Sequence, residues 1–183
     1  MLDTVAVEEN KLVSQAQAGD QAAFGELVCS YHSRVINVVY RMCGDPALAE
    51  DAAQAAFLKA WQHLPQFRPG SSFRHWLYRI AVNAGLDLLR RERRQVDIEQ
   101  ASLASPGGTP ETSLEHQERI CQVRQAVLAL PEASRAVLVL REYEGLSYRE
   151  IAQVLDIPMG TVMSRLNYAR SQLHNQLKDL LLN

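Results

Sequence analysis

Apolar residues recur along this chain at three- and four-residue steps, and the strict alternation of a half-buried strand is nearly absent. That period predicts helices near 8–18, 20–43, 46–64 and 72–94, and again near 114–129, 132–143, 147–155 and 158–180. Between the two sets, Gln95 to Ser113 shows no period. It contains Ala-Ser-Pro-Gly-Gly-Thr-Pro, a composition that suits a flexible tether. Pro131 and Gly145 punctuate the second set. The expected fold is therefore all-α: two small helical domains, 1–95 and 114–183, joined by a flexible linker at 96–113. No internal repeat is visible.

The stretch from Leu146 to Leu166 reads as two helices joined by a tight turn. Ser147 and Glu150 form an S-x-x-E capping box at the start of the first. Ile151, Ala152 and Leu155 follow at helical spacing, Asp156-Ile157 ends that helix, and Pro158 is placed as the first residue of the next. Val162, Leu166, Ala169 and Leu173 form a stripe at i, i+4, i+7 and i+11. Opposite it stand Gly160, Ser164, Asn167 and Ser171, with Thr161, Arg165, Tyr168 and Arg170 at the edges. Small and polar side chains on one face of a second helix are what a major-groove reader needs. The plainer alternative is an ordinary helical hairpin. The low bulk of Gly160-Thr161-Val162, where a helix tip would meet DNA, favours the reader.

Two helices of the first set carry unusual outer faces. In 46–64, Ala53, Phe57, Ala60 and Leu64 point inward, while Asp51, Gln54, Leu58 and Trp61 line the other side. Leucine and tryptophan beside a carboxylate and an amide suit a partner surface, although a neighbouring helix of the same domain could equally cover them. In 72–94, Phe73, Leu77, Ile80, Ala84 and Leu88 point inward, and Trp76, Arg79, Asn83, Leu86 and Arg90 line one edge. Before it lies the loop Phe67-Arg68-Pro69-Gly70-Ser71-Ser72. Aromatic rings can stack on unstacked bases, arginine neutralises phosphate, and asparagine can read a base edge. The alternative is a core tryptophan beside a solvated basic face.

Composition narrows the choice. The 183 residues are 47% hydrophobic, enough for packed cores, and no apolar run is long enough for a membrane span. Early acidic residues and the lack of an apolar h-region argue against a secretory signal. Cys29, Cys43 and Cys121 are scattered and odd in number, which suits a reducing cytoplasm. Cys29 and His32 come nearest to a metal-ligand pair, but their helix reads as core and the cysteine as a buried thiol. None of the five histidines lies in H-E-x-x-H or beside paired cysteines, and no glycine-rich phosphate loop is present, so neither an enzyme nor a metal or cofactor site is expected. The net charge of −2 is low for a DNA binder, although Arg90, Arg91, Arg93 and Arg94 cluster. Weak phosphate neutralisation hints at a DNA reader that works inside a larger assembly.

Taken in order, the pieces resemble the extracytoplasmic-function sigma factors of bacterial RNA polymerase. The matching segments are Ala-Gly-Asp-Gln-Ala-Ala-Phe (18–24), Asp-Ala-Ala-Gln-Ala-Ala-Phe (51–57), the run 67–83, Leu-Pro-Glu (130–132) and the block 145–166. The resemblance implies that residues 1–95 are region 2, which grips the polymerase clamp and opens the −10 element. Asp51, Gln54, Leu58 and Trp61 would make the clamp contact. Phe67, Arg68, Ser71, Ser72, Trp76, Arg79, Asn83 and Arg90 would handle −10 DNA, the loop holding a flipped base of the non-template strand. Residues 114–183 would be region 4, reading the −35 element through Arg149, Thr161, Ser164, Arg165, Asn167, Tyr168 and Arg170. Core polymerase (clamp and flap), promoter DNA and an anti-sigma factor are the implied partners.

The chain departs from the family pattern at three places. Ala55 stands where a glutamate is usual, Met163 where Lys or Arg is usual, and Asn167-Tyr168 where another basic residue is often found. A smaller electrostatic share of −35 binding is expected. The competing reading is a helix-turn-helix regulator that acts without polymerase. Such a regulator would carry a receiver or ligand pocket in its first half, which here is helical with partner-like and melting-like faces.

Overall fold

The computed structural model describes residues 2–68, 72–96 and 114–181, so Ser71 and most of the linker lie outside the described residues. The elements run in the expected order, and no strand occurs among the described residues. Helix α1 spans Leu2–Gln17, starting six residues before the period predicts. Helix α2 (Gln21–Cys43) is capped by the Asp20 carboxylate, which accepts from the Ala22 and Ala23 amides at 2.9 and 3.2 Å. It ends at Gly44, whose φ of 80° places it in the left-handed region. Helix α3 (Pro46–His63) repeats the device, with Asp45 accepting from the Leu48 amide at 2.9 Å and proline in its first turn. A 3-10 turn, Leu64–Gln66, leads to the loop before α4 (Phe73–Val96).

In the first half, the buried face of α3 is built almost wholly of alanine: Ala49, Ala52, Ala53, Ala56 and Ala60. Alanine leaves room for backbones to approach, so α3 packs closely against both α2 and α4. Val35, Val38, Val39 and Met42 of α2 meet Leu77, Tyr78, Ala81 and Val82 of α4 in that core. Contrary to expectation, Cys29 is exposed. The buried stripe of α2 runs through Leu27, Tyr31 and Val35, and a residue two positions past Leu27 falls on the opposite side of a 3.6-residue helix.

The second half comprises α5 (Leu114–Leu128), α6 (Glu132–Glu142), α7 (Tyr148–Leu155) and α8 (Met159–Leu181). Leu130, Val137, Leu140, Leu146, Ile151, Val154, Val162, Leu166 and Ala169 form its core. Each fully buried valine, leucine or isoleucine among them contributes about 1.5–3 kcal/mol relative to exposure.

The two halves pack against each other and share one continuous apolar cluster. Helix α2 lies against α5 and α6, and α4 lies against α7. Arg135 of α6 is buried at the seam. Its guanidinium donates to the Met42 carbonyl of α2 and, within its own half, to the carbonyls of Leu128 and Leu130, the latter at 2.9 Å. Arg124 of α5 donates to the Tyr40 hydroxyl of α2 at 2.6 Å. At Gly44 the approach is so close that an added Cβ would lie 2.6 Å from Leu128 Cδ1.

Candidate nucleic-acid and partner interfaces

Helices α7 and α8 form the helix-turn-helix that the sequence implies. The capping box is complete: the Ser147 hydroxyl accepts from the Glu150 amide at 3.3 Å, and the Glu150 carboxylate accepts from the Ser147 amide at 2.7 Å. The Ser147 side chain and then its backbone amide, both acting on the carboxylate, hold the Glu150 carboxyl below the usual glutamate range, with a smaller contribution from His75. Asp156 ends α7 in the left-handed conformation, φ 55°, a region that aspartate tolerates better than most residues. The chain then turns, and the Pro158 carbonyl accepts from the Thr161 and Val162 amides at 2.9 and 3.2 Å, so proline stands just before α8 rather than as its first residue.

On α8 the stripe Val162, Leu166 and Ala169 is fully buried, while Gly160, Ser164, Asn167 and Ser171 face solvent. Thr161 and Arg165 are half-buried at its edge, and Tyr168 and Arg149 are exposed. Arg170 pairs with Glu142 of α6 at 2.7 Å, so in this arrangement its charge is already partnered. Met159 and Met163 are also exposed, giving the start of the reading helix an apolar patch that the period alone does not reveal.

Helices α2 and α3 enclose an open groove of about 690 Å³ lined by Phe24, Val28, His32, Ile36 and Phe57, with Asp51, Gln54, Leu58 and Trp61 along its α3 wall. Leu58 is 59% exposed. Trp61 is half-buried, its ring 4.9 Å from that of Phe24. His32 stacks on Phe57 in the same groove, which gives a role to a residue read from sequence only as a poor metal ligand. The four α3 residues thus share one wall, and the helix that could have covered them, α2, leaves the groove open.

The loop and α4 divide their expected DNA residues between surface and core. Arg68, Ser72, Asn83 and Arg90 are exposed, and the Ser72 hydroxyl accepts from the His75 amide at 3.4 Å. Phe67 is 6% exposed, its ring packed on Phe73 and Trp76 at 5.9 and 5.2 Å, so it supports the loop from below rather than offering a stacking face. Asn83 and Arg90 line a crevice of about 340 Å³ together with Lys59 and His63 of α3. Sequence reasoning missed Lys59 and His63 because it weighed α3 only as a partner-binding helix. Their place next to Asn83 depends on how α3 and α4 cross.

Arg79 donates to Asp156, just past the end of α7, at 2.9 Å, and His75 lies 3.3 Å from Glu150. Arg74 donates to the Glu144 backbone carbonyl at 2.6 Å, and the Tyr78 hydroxyl donates to the Glu144 carboxylate. Burial, and then that bond, push the Tyr78 hydroxyl pKa up. Burial also pulls the His75 pKa down, outweighing the upward pull of Glu150.

A helix-turn-helix with an open reading face, in a chain that also carries a separate apolar groove, defines a DNA reader built to work with a protein partner. Residues 27–95 match sigma-70 region 2, and residues 122–173 match sigma-70 region 4. The RNA polymerase sigma-H factor of Pseudomonas aeruginosa is 38% identical over 185 residues, covering 95% of this chain and 96% of that protein. The ECF RNA polymerase sigma-E factor of Escherichia coli K12 is 39% identical over 183 residues, covering 93% of this chain and 94% of its own. The solved structure of CnrH in complex with the cytosolic domain of CnrY has a TM-score of 0.73 at 27% identity, over 94% of this chain and 98% of that one. The chain belongs to the extracytoplasmic-function sigma factors of RNA polymerase. It is a promoter-directing initiation factor that works with core polymerase, and it is not an enzyme. No helix among the described residues is long and apolar enough to cross a membrane.

Proposed function

We propose that residues 1–95 hold the polymerase clamp in the α2–α3 groove and open the −10 element with the loop at 67–72 and the exposed face of α4. Residues 114–183 read the −35 element with α8, and 96–113 connect the two inside the cytoplasmic polymerase complex. Asp51, Gln54, Leu58 and Trp61 make the clamp contact. Arg68, Ser71, Ser72, Trp76, Arg79, Asn83 and Arg90 handle melted −10 DNA, and Phe67 supports their loop. Thr161, Ser164, Arg165, Asn167 and Tyr168 face −35 bases, with Arg149 and Arg170 on phosphates. An anti-sigma factor is the further partner that the family reading implies.

The observation that carries this assignment is the open groove with Leu58 at 59% exposure, in the half that does not contain the reading helix α8. A groove of that kind distinguishes a polymerase-dependent reader from a free-standing regulator. The test is affinity for a −35/−10 promoter duplex, measured with and without core polymerase at one salt concentration. With a net charge of −2 the free chain should bind weakly and the complex tightly. Equally tight binding by the free chain overturns the assignment.

A further inference from the structure

We propose that Met163, backed by Met159, reads a thymine C5-methyl group in the major groove of the −35 element, so that this chain selects thymine there by apolar contact rather than by charge. The inference rests on α8 being the −35 reader, as proposed above. Three of the eight large apolar side chains exposed among the described residues lie on that helix: Met159, Met163 and Tyr168. Met159 and Met163 are 53% and 46% exposed. They stand one turn apart at the start of α8, so their side chains are neighbours. The N-terminal residues of a reading helix are those that approach base edges.

The chemistry leaves one good target. A thioether side chain donates no proton, carries no charge and accepts only weakly. It gains nothing at a phosphate and little at a polar base edge. The thymine C5-methyl is the apolar group in the major-groove pattern. Methionine is unbranched and polarisable, so it can settle on such a methyl without demanding one fixed shape. Asn167 lies one turn beyond Met163 and is also exposed. Its amide can bond adenine at N6 and N7, and the thymine paired with an adenine carries its methyl in the same groove. The two side chains together therefore suit a site that contains A·T pairs.

Two features of the free chain agree. The methionines adjoin Gly160, Ser164 and Asn167, all exposed, so the apolar patch continues the reading face rather than forming a separate surface. At Gly160 an added Cβ would meet nothing within 4 Å, so the fold itself does not require glycine there. The bare position keeps the helix tip thin beside the methionines, where a groove wall has to come close.

The test uses the full chain with core polymerase, and a promoter selected by that complex from a library randomised across the −35 element. Each −35 thymine, on either strand, is replaced in turn by deoxyuridine, which removes the methyl and leaves every pairing group in place. At a read position the wild-type complex should bind about three- to fourfold more weakly, the worth of one buried methyl. The same replacement should make no difference to Met163→Ala, and less difference to Met159→Ala than to the wild type. If no deoxyuridine weakens the wild-type complex, the proposal is overturned, and that result needs no variant. An equal loss in the wild type and in Met163→Ala at every such position overturns it as well. So does weaker binding of Met163→Ala to core polymerase without DNA, which would make the patch a polymerase contact. If α8 does not read the −35 element at all, Arg165→Ala will leave affinity and preference unchanged. If only the methyl contact is wrong, Arg165→Ala keeps its effect.

Discussion

Truncating Leu58 to alanine separates a partner contact from a core contact by magnitude. Fully burying a leucine side chain is worth about 1.5–3 kcal/mol. Leu58 is 59% exposed in the free chain, so more than half of that gain is still available to a partner. A clamp that covers it completely should lose about 1–2 kcal/mol on truncation, which weakens polymerase binding roughly five- to thirtyfold. Stability of the free chain should change by no more than about 0.5 kcal/mol, a shift of ~2 °C or less in melting temperature at this size. Phe57, one position earlier and 9% exposed, is the internal control: alanine there should cost about 3–5 kcal/mol of fold stability. The assays are a thermal melt and a competition binding measurement with labelled core polymerase. A large drop in melting temperature for Leu58→Ala, or unchanged polymerase affinity, would show that the groove is not the clamp site.

Replacing Arg165 with alanine should cost ~1–3 kcal/mol of promoter affinity with polymerase present and relax preference at one −35 position; unchanged affinity and preference would mean that α8 docks differently. On a promoter already melted across the −10 element, Asn83→Ala should blunt sensitivity to one non-template base, and full retained discrimination would remove Asn83 from the reader. Ser147→Ala breaks the capping box and should lower stability by about 1 kcal/mol, seen as a fall of ~2–4 °C in melting temperature, whereas no change would mean that packing alone fixes α7. Acid should loosen the seam. His75 faces Glu150 of α7 and Glu9 of α1, with Arg74 beside it on α4, and burial lowers its pKa from 6.5. The opened or unfolded chain therefore binds more protons in this window, so stability of the closed form is full above about 6.5 and falls as pH drops toward the lowered value. Scattering between pH 7.5 and 5.5 should show expansion that is absent in His75→Gln; equal expansion in both would refute that assignment.

The helices were legible because each must bury one stripe, and a stripe leaves a period in sequence. Ser147 announces the start of α7 through local chemistry that needs no tertiary information. The reading face of α8 was legible for the same reason, since its polar side is defined by the buried one. The seam between the halves was not. Arg135 sits inside a run that reads as an ordinary amphipathic helix, and its partner Met42 lies 93 positions away. Glu144 meets Tyr78 across 66 positions. Nothing periodic marks such pairs, and the tether between the halves leaves their relative placement unconstrained by local rules. Cys29 failed differently: cysteine is usually buried, but the stripe of α2 had already determined which side faces inward.

Gly44 joins two requirements that could have been met separately. Its φ of 80° ends α2, and its bare Cα admits Leu128 from the other half. Any side chain there strains the turn and requires the Leu128 side chain of α5 to move. Drift at this position is therefore closed off by two constraints unrelated to reading DNA. A lineage that kept its promoter specificity intact would still meet both constraints with the first methyl group added here.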